Sequence, residues 1–219
     1  MKKKLTALVL AVLTAVALLP HSAFAASFQI DFETSCDALL LVNLDTNTAV
    51  YEKNADKRRE PASLTKIMTY IVVDENVPDP DNTTVTISQK IQDELLGTGS
   101  SLSGIKVGDV LTVTQLLYCM MIPSGNDAAL ALADFVGNGD VQSFVDMMNE
   151  KAAELGCEDT HFMNPHGLHD DQHYTTARDM AVVTQYAMML PNFMEITSQT
   201  SATYQPVGGP EAGQTRTLI

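Results

Sequence analysis

From Pro61 to Leu190 the sequence carries mostly helix signals, and extended stretches flank that block on both sides. This order limits the architecture more than any other feature. Ala38 to Leu44 is a continuous apolar run, Asp45-Thr46-Asn47 supplies turn chemistry, and Thr48 to Tyr51 extends again, which predicts a hairpin. Pro61 suits a first helical turn and predicts a helix running to about Asp74. A loop at Asp79-Pro80-Asp81-Asn82 precedes a short strand at Thr83 to Ile87. Gly97 to Gly104 is rich in Gly and Ser and reads as loop, and Ile105 to Leu111 holds a turn at Gly108-Asp109. Thr112-Val113-Thr114-Gln115 fits a capping box, with helix to Ile122 behind it. Pro123-Ser124-Gly125-Asn126 interrupts that run. Helices are predicted at Asp127 to Val136, Val141 to Leu155 and Thr176 to Leu190, the last opened by a second box, Thr176-Ala177-Arg178-Asp179. Extended sequence follows Ser198. A hairpin, a block of helices and further extended sequence make a mixed α/β chain of the α+β kind, with an antiparallel sheet that this chain leaves incomplete.

The first residues set the compartment. Lys2, Lys3 and Lys4 precede an apolar run from Leu5 to Leu19, Pro20 breaks it, and Ala23-Phe24-Ala25 matches a small-x-small cleavage pattern. The run has 15 residues, short of the roughly 18–20 that span a bilayer. Residues 1–25 are therefore read as a cleaved export signal and 26–219 as a single domain, which places the mature chain outside the cytoplasm. No other stretch is long and apolar enough to span. The net charge is −14, and loss of the three leader lysines makes the mature chain more acidic. An acidic surface repels phosphate backbones, so nucleic acid is excluded as a partner. Three cysteines, Cys36, Cys119 and Cys157, leave at least one thiol unpaired. Cys119 lies in an apolar run and reads as packing; a Cys36–Cys157 bridge stays open.

Two serine motifs carry the chemistry. In Ser63-Leu64-Thr65-Lys66 the helical spacing i, i+3 puts both side chains on one face, with Cβ atoms about 5–6 Å apart. A serine hydroxyl is a weak nucleophile until a base takes its proton, and a lysine can act as that base when burial favours its neutral form. Ser103-Gly104-Ile105-Lys106 has the same pattern but sits in the glycine-rich loop, where no helical spacing fixes the lysine. Ser124-Gly125-Asn126 lies on a sharp break between two helices, where Ser and Asn also serve as caps. Gly99 to Gly104 has the glycine spacing of a phosphate loop, but Ile105 stands where the lysine is needed, so that reading fails. His161, His166, His169 and His173 cluster in a polar loop without a His-Glu-x-x-His arrangement; they read as a loop bordering a cleft, and neither a metal nor a cofactor is expected.

The two motifs, in this order, are the first two of the three found in penicillin-binding proteins and serine β-lactamases. Asn54-Ala55-Asp56-Lys57-Arg58-Arg59-Glu60-Pro61-Ala62-Ser63-Leu64-Thr65-Lys66-Ile67-Met68-Thr69 resembles the nucleophile segment of the low-molecular-weight D-Ala-D-Ala carboxypeptidases, peptidase family S11. Ser124-Gly125-Asn126-Asp127-Ala128 resembles their second motif, and His161-Phe162, His166-Gly167-Leu168 and Thr176 to Ala181 resemble the loop and helix after it. The resemblance implies a β-lactamase/transpeptidase-like fold, an antiparallel sheet with a helical subdomain, whose later strands are missing from this chain. It implies acyl transfer through a Ser63 ester, with Lys66 as base, Ser124 relaying a proton to the leaving amine and Asn126 holding the substrate backbone. The substrate would be a peptidoglycan stem peptide ending in D-Ala-D-Ala, and β-lactam antibiotics would be covalent inhibitors.

The third motif, Lys-Thr-Gly, is absent: no lysine of the chain is followed by Thr-Gly or Ser-Gly. In the family it would fall shortly after Ile219. The expectation is a chain cut short before that motif, with any membrane association residing in a part that is absent. A non-catalytic peptidoglycan-binding homologue is the alternative. A serine β-lactamase is a weaker one, because the Glu-x-x-Leu-Asn segment of class A enzymes is missing.

Overall fold

The computed structural model describes residues 34–219, and the expected leader 1–25 lies outside them. The chain enters through an antiparallel hairpin of β1 (Leu39–Asn43) and β2 (Thr48–Lys53), with a register shift between Leu41 and Val42. A single 3-10 turn, Ala62–Leu64, leads into α1 (Thr65–Asn76). β3 (Thr84–Thr86) pairs antiparallel with β4 (Val110–Thr112), and α2 (Gln89–Leu95) and the glycine-rich loop lie between them in sequence. Then come α3 (Val113–Met121), α4 (Asn126–Val136), α5 (Val141–Glu154), α6 (Ala177–Ala187) and α7 (Phe193–Thr197). The described residues end in an antiparallel pair, β5 (Ala202–Tyr204) and β6 (Arg216–Leu218).

The mixed architecture with antiparallel pairing matches the sequence reading, but among the described residues the strands form three separate two-stranded ribbons. The helix expected from Pro61 starts instead as a 3-10 turn and becomes α-helical only at Thr65. Ala62, at φ +46°, keeps a regular α-helix from running through this position. The sequence reading left out α2, whose Ile91 and Leu95 sit one helical turn apart and are buried. The capping box at Thr112 forms in full, with Thr112 Oγ1 accepting from Gln115 N at 3.1 Å and Thr112 N donating to Gln115 Oε1 at 3.1 Å. No helix among the described residues is long and apolar enough to cross a membrane.

Two helices make the centre of the core. In α1, Met68, Tyr70, Ile71, Val72 and Val73 are all buried, and in α4 every residue from Asn126 to Ala133 is. A helix apolar on most faces belongs inside a protein. The alanines of α4 (Ala128, Ala129, Ala131, Ala133) let neighbouring helices approach, while Leu130 and Leu132 fill the space between them. Tyr70 spans the core, its ring edge-on to Phe193 at 5.0 Å and its hydroxyl donating to Pro191 O at 2.8 Å. Because both central helices begin with motif residues, the core fixes where those residues stand. Cys36, Cys119 and Cys157 are all free thiols; Cys119 and Cys157 are buried and Cys36 is exposed.

Candidate active site

The Ala62–Leu64 turn and α1 bring Ser63 and Lys66 together. Ser63 is exposed, while Lys66, three residues on, is 2% exposed. Lys66 Nζ lies 3.4 Å from Ser63 Oγ and donates to Asn126 Oδ1 at 2.6 Å and to the carbonyl oxygen of His166 at 2.9 Å. The first contact is long for a hydrogen bond and the other two are strong. The ammonium thus has three oxygen partners on three different segments. Burial lowers the Lys66 pKa to about 8, although the Asp127 carboxylate pulls it upward. An ordinary lysine at 10.5 is neutral less than about once in a thousand at pH 7, whereas one near 8 is neutral about once in ten.

The second motif is built on a strained turn. The N–H of Gly125 donates to Cys119 O at 3.2 Å and closes the end of α3. Ser124 sits at φ +58°, a left-handed conformation unusual for serine. Its Oγ is buried without a hydrogen-bond partner. Such hydroxyls cost about 1–3 kcal/mol and are uncommon in folded proteins. No side chain fits at Gly125, where a Cβ would lie 2.6 Å from Cys119 O and 2.7 Å from Ser103 Cβ. Asn126 then opens α4, 5% exposed. Since its Oδ1 accepts from Lys66, its Nδ2 is left to donate.

Asp127, which the sequence reading gave no separate role, ties the glycine-rich loop to this turn. Its Oδ1 accepts from Ser103 N at 2.8 Å, Ser103 Oγ at 2.9 Å and Ala128 N at 2.9 Å, and its Oδ2 accepts from Gly104 N at 3.1 Å. Asn126 N donates to Ser101 O at 2.9 Å beside it. Ser103 is therefore engaged as a brace. Lys106, its partner in the repeated pattern, points to solvent and pairs with Glu211 at 2.5 Å.

The His-rich loop forms the third wall. Asn164 Oδ1 accepts from Gly167 N at 2.7 Å and His166 N at 3.2 Å, a local turn that aims the His166 carbonyl at Lys66. Burial lowers both His166 and His173 to about 4, and the nearby Lys66 charge adds to the effect on His166. His169 is exposed and sits 3.2 Å from Glu60, and His161 Nδ1 meets Gln172 O at 2.8 Å. Among the described residues no three His, Cys, Asp or Glu side chains are gathered as a metal ion would require. A cavity of about 880 Å³ lies between α3 and the terminal ribbon against Tyr118, Gln199, Tyr204 and Leu218, and none of the motif residues lines it.

The family model described as D-alanyl-D-alanine carboxypeptidase matches residues 23–215. The chain belongs to the D-alanyl-D-alanine carboxypeptidase family. Among its relatives, the D-alanyl-D-alanine carboxypeptidase of Streptomyces sp. (strain K15) is 37% identical over 182 residues, covering 81% of this chain and 62% of that protein. D-alanyl-D-alanine carboxypeptidase DacF of Bacillus subtilis (strain 168) is 36% identical over 160 residues, covering 72% of this chain and 40% of DacF. The chain thus spans about half the length of the curated relatives it matches. The crystal structure of the Streptomyces K15 DD-transpeptidase superposes with a TM-score of 0.79 at 34% identity, over 85% of this chain and 74% of that one. The fold is accordingly the β-lactamase/transpeptidase-like one expected from the motifs.

Proposed function

We propose that the chain carries the nucleophile motifs of a serine-type D-Ala-D-Ala carboxypeptidase acting on peptidoglycan stem peptides outside the cytoplasm. The observation that carries this reading is the buried Lys66, within reach of Ser63 Oγ at 3.4 Å and held near a pKa of about 8. Ser63 Oγ attacks the carbonyl carbon of the penultimate D-alanine while Lys66 Nζ takes the hydroxyl proton. The tetrahedral oxyanion is met by the Ser63 backbone N–H at the start of the helix. Ser124, whose Oγ has no hydrogen-bond partner, gives its proton to the departing amine, which leaves as D-alanine, and regains one from the Lys66 ammonium, which becomes neutral again. Asn126 Nδ2 donates to a peptide carbonyl and holds the substrate in line. Water then attacks the Ser63 ester, freeing the shortened peptide and returning the proton to the lysine–serine pair.

The relatives' names divide between carboxypeptidase and transpeptidase. Both run through one acyl-enzyme and differ in whether water or an amine accepts the acyl group. The covalent step is therefore the one to test. The natural gene product should form a one-to-one adduct with a fluorescent penicillin, mapped by peptide mass spectrometry to Ser63, and should release D-alanine from a peptide ending in D-Ala-D-Ala. A binding module without turnover would form no adduct, and an adduct on Ser103 or Ser124 would overturn the assignment.

A further inference from the structure

The buried histidine of the third wall is left over by this mechanism. His173 is 2% exposed, yet both ring nitrogens are engaged. Its Nδ1 accepts from the backbone N–H of Met163 at 3.0 Å. In the neutral ring the proton must then sit on Nε2, which donates to Thr65 Oγ1 at 2.7 Å. Thr65 is 0% exposed and is the residue between the nucleophile turn and Lys66. The ring stands edge-on to Phe162 at 5.7 Å, which fixes its plane.

Three other contacts join the same two segments. Thr69 Oγ1, one turn further along α1, donates to Pro165 O at 2.6 Å. Arg59 and Thr175 exchange backbone hydrogen bonds, both 2.8 Å, on the other side of the nucleophile turn. At Gly167, φ +89°, a Cβ would stand 1.9 Å from the carbonyl oxygen of Ala62, so the loop backbone rests directly on the turn that presents Ser63. Ala62 is held at φ +46°, a conformation it does not choose alone. A strained turn persists only when its surroundings determine it, and here the surroundings are the loop from Pro165 to Thr175.

We infer that His173 is a positioning residue for acylation: through Thr65 it locks the Ala62–Leu64 turn so that Ser63 Oγ stays in register with Lys66. The inference rests on the proposed Ser63 acyl-enzyme. Its logic is geometric: the imidazole makes no hydrogen bond to Ser63, and its link to the nucleophile turn is the Thr65 hydroxyl, while Nδ1 holds the loop at Met163. Removing either end of the contact should then have the same consequence, and removing both should add little.

The experiment is a double-mutant cycle in the natural gene product with His173→Ala, Thr65→Val and the pair. Stopped-flow acylation by a fluorescent penicillin separates the initial binding constant from the acylation rate constant, and denaturant unfolding gives stability. Thr65→Val keeps the side-chain volume and covers the case in which His173→Ala fails to fold. The expected result is an acylation rate constant about 10- to 100-fold lower in each folded single variant, the scale of a small misplacement of reacting groups. The double variant should be no slower than the worse single one, with initial binding unchanged and the adduct still on Ser63. Wild-type acylation rates in the folded single variants would overturn the inference and leave the Ser63 reading intact, as would fully additive losses. A wild-type protein that forms no adduct would overturn both.

Discussion

The chain contains the same Ser-x-x-Lys spacing twice, and the two copies share little else. At Ser63–Lys66 the turn runs into a buried helix, the lysine is 2% exposed, and its nitrogen lies 3.4 Å from the serine oxygen. At Ser103–Lys106 the second position is Gly104 at φ +83°, which no right-handed helix accommodates. Ser103 turns to the Asp127 carboxylate, and Lys106 leaves for an exposed pair with Glu211. Spacing creates a lysine–serine pair only where the backbone is helical enough to stack i on i+3, and it creates a base only where burial disfavours the ammonium.

The largest expected effect is on the serines themselves. Ser63→Ala should abolish the penicillin adduct, and Ser103→Ala should retain it; intact-mass spectrometry after incubation distinguishes them, and loss of labelling in Ser103→Ala alone would invert the comparison. Next come the lysines. Lys66→Ala should slow acylation by about 10²–10⁴, the usual worth of a positioned proton-transfer group, while Lys106→Ala stays close to wild type. Equal losses in stopped-flow rates would contradict the contrast.

A smaller effect concerns the brace between Asp127 and the glycine-rich loop. Asp127→Asn leaves one acceptor oxygen where two carboxylate oxygens take four donors, so the Gly104 N–H faces an amide instead. Thermal or denaturant unfolding should show a loss of about 1–3 kcal/mol; an unchanged midpoint would remove Asp127 from the account. A further effect concerns pH. His173 is held near 4 in the folded chain against an ordinary 6.5. Between those values the unfolded chain binds the extra proton, so stability falls as pH drops from about 6.5 to about 4, by at most about 1.4 kcal/mol per unit for this group. The stability gap between wild type and His173→Gln should narrow over that window and stay constant above pH 7. A gap independent of pH would mean that His173 is not held neutral.

The parts legible in sequence were those with local causes. Thr112 and Gln115 announced a capping box that forms in full, and the apolar periodicity behind them announced α3. The break at Ser124–Asn126 was visible because Pro and Gly interrupt a helical run. The 3-10 start at Ala62 was not visible, because nothing in an alanine signals a positive φ that the Gly167 backbone imposes from across the fold. Likewise the contacts of His173 with Thr65, and of the His166 carbonyl with Lys66, join residues 108 and 100 positions apart. The four histidines were noticed as a cluster, but only the fold distinguishes the two that are buried from the two at the surface.

In the proposed reaction Lys66 is the group that must lose its proton before Ser63 can react. The direct measurement is the pH dependence of the acylation rate constant for the natural gene product with a fluorescent penicillin, at constant ionic strength. The rate constant should rise with pH through an apparent pKa near the value of about 8 set by burial and level off above it. A profile flat across that range, or one whose rise is centred at the ordinary histidine value of about 6.5, would contradict a lysine base.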